Sequence, residues 1–279
     1  MRNIIVVTTF NENGFNTYGK KMVKSFDTFW PDNIHLYVYY EGNIPSMDTS
    51  NRIHWKNLHD ESKDLVNFKE RHKNDPVAHG KASKSPKGLT RIPSSNLKHK
   101  AKHEGIDSFL YDAVRFSHKV FTVISASENI KSDILIWLDG DVKTFRKIPE
   151  NFFENLIPND THLTYLGREE KYSECGFVAY NKNHKVHDIF IKIWKELYEN
   201  DTVFNLEEWH DSYVFDYVRN LFDVKNNNLN YYVKDNGHPF INSELGNYLD
   251  HLKGKRKEIG HSSKKDIKTN KEIDYWKNI

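Results

Sequence analysis

Residues 133–145 read DILIWLDGDVKTF. An apolar and aromatic run, Ile134 to Leu138, leads straight into Asp139, Gly140 and Asp141. A short continuous apolar run of this kind fits a strand buried on both faces. Such strands belong to parallel sheets covered by helices, and ligands in those sheets gather outside the carboxyl ends of the strands. Two like charges placed one residue apart at such an end repel each other unless something positive sits between them. Mg²⁺ and Mn²⁺ take oxygen ligands and favour carboxylates together with substrate phosphates. Asp139 and Asp141 are therefore candidate metal ligands, and Gly140 permits close backbone approach and an unusual dihedral pair. A plain acidic turn after a strand is the competing reading.

Outward from this stretch the patterning stays that of an α/β chain. NIIVVTTF (3–10) reads as a first buried strand, bounded by the polar turn NENG. YGKKMVKSFDTFW follows with helical spacing, and IHLYVYYEG (34–42) is a second strand. A short strand is expected at RIHW and a helix over SKDLVNFKERH. Residues 106–128 carry Phe109, Ala113, Phe116, Val120 and Val123 on one helical face. THLTYLG and CGFVAYN read as further strands, with helices over 184–199 and 207–221. The tail ELGNYLDHLKGKRKEIGHS reads as too charged for core. Together these predict one α/β domain over 1–279, with a mostly parallel central sheet flanked by helices and no internal repeat.

Composition narrows the class. In 279 residues, 37% hydrophobic and 14% aromatic content suffices for a sizeable core, while 29% charged residues and a mean hydropathy of −0.77 predict a charged, soluble surface. Cys175 is the single cysteine, so no intramolecular disulfide forms, in keeping with a reducing compartment. No apolar run approaches the roughly 20 residues that cross a bilayer, and NIIVVTTF is too short for a signal sequence. A cytoplasmic enzyme is expected. The net charge of +2 hides an asymmetry: between His79 and His103 lie Lys81, Lys84, Lys87, Arg91, Lys98, Lys100 and Lys102 with no acid. This stretch reads as a basic loop or lid, either plainly solvated or binding phosphates of a nucleotide or of DNA.

ILIWLDGDVKTF resembles the D-x-D strand of GT-A-fold glycosyltransferases, which use a divalent metal to hold a nucleotide-sugar diphosphate. IIVVTTFNENGF is similar to their first strand and loop; the resemblance places Thr8, Phe10 and Asn11 against the nucleotide. YSECGFVAYN (172–181) resembles the glycine-containing strand that lines the sugar pocket in family 8 enzymes, with Gly176 in that place. EWHDSYVFDYV (208–218) is similar to the Trp-His-Asp segment of family 6. HLKGKRK (251–257) fits the family 8 spacing His-x-x-Gly-x-x-Lys, after which the chain has Glu258 and Ile259 where that motif continues Pro-Trp.

The resemblance implies a Mn²⁺ or Mg²⁺ ion on Asp139, Asp141 and His251. It also implies a nucleotide-sugar donor, a UDP-sugar above all, whose diphosphate meets Lys253, Gly254, Lys255 or Lys257. Arg115 and Lys119, four apart on one helical face, stand where family 8 carries a donor-binding arginine. Asp211 is the candidate for orienting the sugar or acting as base, and His210 for meeting the acceptor. Where family 6 places a glutamate after the aspartate, this chain has Ser212, and Glu207 and Glu208 read as acids favourable at a helix N-terminus. The implied reaction is sugar transfer to the hydroxyl of a glycan, lipid, protein or hydroxylated DNA base, with retention of configuration. A sugar nucleotidyltransferase is the alternative enzyme, although TTFNENGFNTYGKK lacks its Gly-rich basic signature. An Asp-nucleophile phosphatase wants Thr or Val where Lys143 stands.

Overall fold

The computed structural model describes residues 1–80, 109–169, 171–231 and 237–279. Its strands are β1 (Ile4–Asn11), β2 (His35–Glu41), β3 (Ile53–Asn57), β4 (Ile134–Leu138), β5 (Val142–Thr144), β6 (Leu163–Arg168), β7 (Lys171–Asn181), β8 (Asn227–Asn228) and β9 (Leu249–His251). Seven form one sheet in the order β3-β2-β1-β4-β7-β6-β8, and β5 pairs with β9 apart from it. β1 runs parallel to β2 and β4, β2 to β3, and β6 to β8. β7 is antiparallel to both its neighbours, β4 and β6. The expected mostly parallel sheet flanked by helices is the architecture found.

β4 shows why the opening stretch reads as a doubly buried strand. All five of its residues are buried. Leu135 and Trp137 pack into the core on one side of the sheet, with the Ala113–Asn129 and His187–Glu199 helices. Ile134, Ile136 and Leu138 pack into the other, with the Lys20–Phe29 helix. On that second face Trp30 stacks between Phe26 and Phe153, with ring centroids 4.5 and 4.7 Å away. Each large apolar side chain buried this way contributes about 1.5–3 kcal/mol. Neither face has room for a solvated charge.

Two local readings change. NENG is a helix start, because the Asn11 side chain accepts from the Gly14 N–H and caps the turn. The chain then stays helical through a π segment at Phe15–Gly19 into Lys20–Phe29. The tail, expected outside the core, supplies β9, whose Leu249, Asp250 and His251 are fully buried. Asp250 tolerates this because three neutral donors reach its carboxylate: the Ser262 N–H at 2.8 Å, the Ser262 hydroxyl at 2.5 Å and the Tyr275 hydroxyl at 2.9 Å. The basic stretch lies, from Lys81 onward, outside the described residues. Among the described residues no helix is long and apolar enough to cross a membrane.

Candidate active site

β4 ends at the carboxyl edge of the sheet, where the Asp139 N–H donates to the Gly176 carbonyl of β7 at 3.0 Å. The chain turns at once into β5, which pairs with β9 so that Val142 faces His251. This short ladder carries an imidazole from near the end of the chain to the two aspartates. His251 Nε2 lies 3.1 Å from Asp141 Oδ1 and 3.4 Å from Asp139 Oδ2. One ligand atom from each residue lies within 4.8 Å of the others.

Gly176 makes this approach possible, since a Cβ there would sit 2.4 Å from His251 Cε1. Gly140 is needed for a related reason: its Cβ would meet Phe10 Cδ1 at 2.8 Å and Tyr18 Cε2 at 3.2 Å. Close approach, as expected, explains this glycine; the unusual dihedral pair does not, because its φ is not positive.

The corner suits a divalent cation. Both ring nitrogens of His251 are buried without a hydrogen-bond partner among the described residues, though carboxylates surround them. Burial disfavours the imidazolium, but Asp141, with Asp139 and Glu174, outweighs it and raises the His251 pKa to about 9. Burial would also raise Asp139, yet Lys119 and then His251 hold it far below the usual carboxylate range. The same carboxylates that hold a proton on His251 would hold a metal ion in its place. Two carboxylates and one neutral imidazole form a donor set that Mn²⁺ accepts readily.

Cations surround this corner. Lys257 Nζ lies 2.9 Å from Asp141 Oδ2 and 4.5 Å from the centre of the Tyr18 ring. Lys253 Nζ lies 2.6 Å from Glu174 Oε2. Lys255 is exposed. Gly254 takes the left-handed backbone, φ +57°, at the turn between Lys253 and Lys257. Lys119, in the Ala113–Asn129 helix, is buried: its ammonium donates to Asp139 Oδ1 at 3.2 Å, to Asp211 Oδ2 at 2.8 Å and to the Cys175 carbonyl at 2.5 Å. Burial works against that charge, but Asp139 and Asp211 outweigh it and raise the pKa. With all three donors used, Lys119 ties two carboxylates together and has none left for a donor phosphate.

Asp211 opens the Asp211–Arg219 helix, beside His210. His210 Nε2 lies 2.8 Å from Glu208 Oε2, and Glu208 accepts from the Tyr172 hydroxyl at 3.3 Å. Glu208 is thus a buried partner of His210 and Tyr172, not a solvated acid in the first turn of the helix. Asp139, Asp211, His210, Glu174 and Lys253 line a cleft of about 1880 Å³ walled by Phe109, Phe116 and Tyr172. Small-molecule sites commonly occupy about 300–1,000 Å³, and this cleft is larger.

The remaining residues that the resemblance implies are placed around this corner as packing, capping or surface side chains. Thr8 is fully buried between the sheet's neighbours, so its side chain faces protein on every side. Phe10 is buried in an aromatic cluster with Phe15, Tyr40 and Trp55. Asn11 is exposed, with its side-chain oxygen capping the helix. Arg115 is exposed, with its guanidinium over Phe116 at 5.8 Å. Glu174, Tyr18 and Trp137, whose indole N–H donates to Asp139 Oδ1 at 2.7 Å, belong to the site without having been singled out. Only Glu174 carried a signal: an acid two residues before Gly176 in an otherwise strand-like run.

No protein-family model matches the chain, and no curated protein matches it. Solved structures do. Mouse xyloside xylosyltransferase 1, in its apo form, aligns with a TM-score of 0.47 at 10% identity, over 81% of this chain and 85% of that one. The apo-form glycosyltransferase GlyE of Streptococcus pneumoniae aligns with a TM-score of 0.40 at 12% identity, over 80% of this chain and 44% of that one. An active-site mutant of LgtC aligns with a TM-score of 0.42 at 15% identity, over 81% of this chain and 72% of that one. The likeness is loose at these scores, and the functional reading rests on the site.

Proposed function

We propose that this chain is a GT-A glycosyltransferase. It would move a sugar from a nucleotide-diphosphate sugar, UDP being the favoured nucleotide, to an acceptor hydroxyl on a glycan, lipid or protein. The observation that carries this reading is the meeting of Asp139, Asp141 and His251 within 4.8 Å at the carboxyl end of β4. A plain acidic turn has no use for a buried imidazole delivered from the chain's far end. A Mn²⁺ or Mg²⁺ ion held by these three residues would supply Lewis acidity toward the departing diphosphate.

The chain's own groups do the rest. Lys257 and Lys253 stand beside the carboxylate corner and would offset the charge that grows on the leaving group. Lys119 bridges Asp139 and Asp211, tying the carboxylate corner to the wall of the cleft. Asp211 and His210 face the cleft, where they would orient the donor sugar and meet the acceptor. Retention of anomeric configuration is the outcome that the family 8 and family 6 resemblance suggests, and NMR of the freshly formed product checks it.

The deciding experiment is a thermal-shift screen of nucleoside diphosphates with Mn²⁺ and with EDTA. A ligand bound only by the folded state raises Tm with the logarithm of its concentration over Kd. UDP should raise Tm in Mn²⁺ and lose that effect in EDTA. A chain that answers to no nucleotide, or to one equally well without metal, is not this enzyme.

A further inference from the structure

Glu174 projects from β7 into the floor of the site and is only 3% exposed. A buried carboxylate is costly unless it is paired, and nothing in strand packing calls for one here. The pairing it has is with Lys253 and the Gly176 N–H. One oxygen, Oε2, meets Lys253 Nζ at 2.6 Å. The other, Oε1, accepts from the Gly176 N–H at 3.2 Å and faces His251 Nδ1 at 3.4 Å. The imidazole therefore lies between Asp139 and Asp141 on its Nε2 side and Glu174 on its Nδ1 side. Its ring rests on Gly176, where any side chain would displace it.

Resting on the metal-site reading above, we infer that Glu174 is a positioning residue: it accepts the His251 Nδ1 proton and so leaves Nε2 bare and aimed at the cation beside Asp139 and Asp141. The two nitrogens of a neutral imidazole are inequivalent, and the partner of one decides which the other becomes. A carboxylate behind a ligating histidine fixes its tautomer and ring orientation and raises its basicity. Lys253 supplies the counter-charge that lets Glu174 remain ionised in a buried place. Glu174 touches neither donor nor acceptor in this role. It acts through His251.

The test uses the full chain and Mn²⁺ alone, titrated and read by the loss of the free-ion EPR signal. Glu174→Ala should weaken Mn²⁺ binding by about 10–100-fold. Glu174→Gln keeps an oxygen that can face Nδ1–H and should retain most of the affinity. In parallel, ¹⁵N-histidine spectra of the Mg²⁺-loaded wild type should show His251 protonated on Nδ1 and bare on Nε2. That Nδ1–H resonance should move in Glu174→Gln, because an amide oxygen accepts more weakly than a carboxylate. Equal Mn²⁺ affinity in wild type and Glu174→Ala overturns the inference while leaving the metal site standing. So does an Nδ1–H signal unmoved in Glu174→Gln, which decides the matter even where the alanine variant does not fold. A wild-type chain that binds no Mn²⁺ removes both the inference and the metal site beneath it.

Discussion

Two buried groups of histidine stand on the same chain and do opposite things. His251 is fully buried among Asp139, Asp141 and Glu174, and its pKa is raised to about 9. His162 and His187 are equally buried, but they face each other, His184, Ser127 and the Phe190 ring. Burial, helped by the neighbouring histidines, pushes His162 down to about 3; burial and then Lys182 push His187 down to about 4. Burial alone lowers a histidine's pKa in both places. The carboxylates reverse that sign in one place, and no carboxylate does so in the other. A buried histidine is a cation or ligand position when acids converge on it and a neutral core side chain when they do not.

The largest expected effect comes from removing the acids. Asp139→Asn with Asp141→Asn should abolish the Mn²⁺-dependent thermal shift and cut transfer by about 10³-fold or more, since metal Lewis acidity supplies several kcal/mol. Normal turnover in that variant would make the corner no different in kind from the His162 cluster.

Next comes Lys119→Met, which leaves Asp211 without its cation and Asp139 with His251 and the Trp137 N–H alone, at the half-open wall of the cleft. Breaking a fully buried pair by removing one partner costs about 3–5 kcal/mol; with Asp139 and Asp211 partly open to the cleft the loss should fall below that range, measurable as a lower midpoint in urea. A midpoint within error of wild type would mean that water already reaches those carboxylates.

Gly176→Ala acts on the same corner by shape alone. Its methyl would meet the His251 ring at 2.4 Å, so the ring must swing. Mn²⁺ affinity should fall by about tenfold or more, as for lost orientation of a ligand. Unchanged affinity would show that His251 is held from elsewhere.

A pH series sharpens the other side. The His162 and His187 pKa values are lower folded than unfolded, so the unfolded chain takes up protons first as pH drops. Their contribution is fully present above about 6.5 and is lost as pH falls toward about 4 and 3. The slope approaches about 1.4 kcal/mol per pH unit for each histidine. His162→Phe should lose one such share of slope between pH 6.5 and 4 relative to wild type, read from urea midpoints. An identical slope in the two proteins would place His162 in contact with water.

The smallest effect belongs to Thr8→Val. The Thr8 hydroxyl is buried with no hydrogen-bond partner among the described residues, so its loss should change stability by less than about 1 kcal/mol. UDP affinity should stay where it was. A clear fall in UDP affinity would return Thr8 to the nucleotide contact implied by the resemblance.

Much of the fold was legible because apolar periodicity is a local property. The run 134–138 had to be buried on both faces, and β1, β2 and the 113–129 helix announced themselves by the same means. The His251 spacing to Gly254 and Lys257 was visible too, through likeness to a known motif. What misled was local charge taken as a sign of exposure. Asp250 and Glu208 are buried because partners distant in sequence, or folded back from nearby, satisfy them. Lys119 was legible as a cation near the site, but its three bonds depend on Asp139, Asp211 and the Cys175 carbonyl meeting in space. Thr8 was named through likeness to a known first strand, and only the packing around β1 shows how deeply its side chain is buried.

The order of residues alone determined a buried strand ending in two acids, and with it a sheet edge that demands positive charge. Hydrophobic burial is a sum over neighbours in the chain's own repeat, so it can be read without coordinates. Which positive groups answer that demand was decided by the β5–β9 ladder and by two glycines, Gly140 and Gly176, that let rings come close. Electrostatic partnership falls off over a few ångströms, and only the folded chain says which distant residues stand that near.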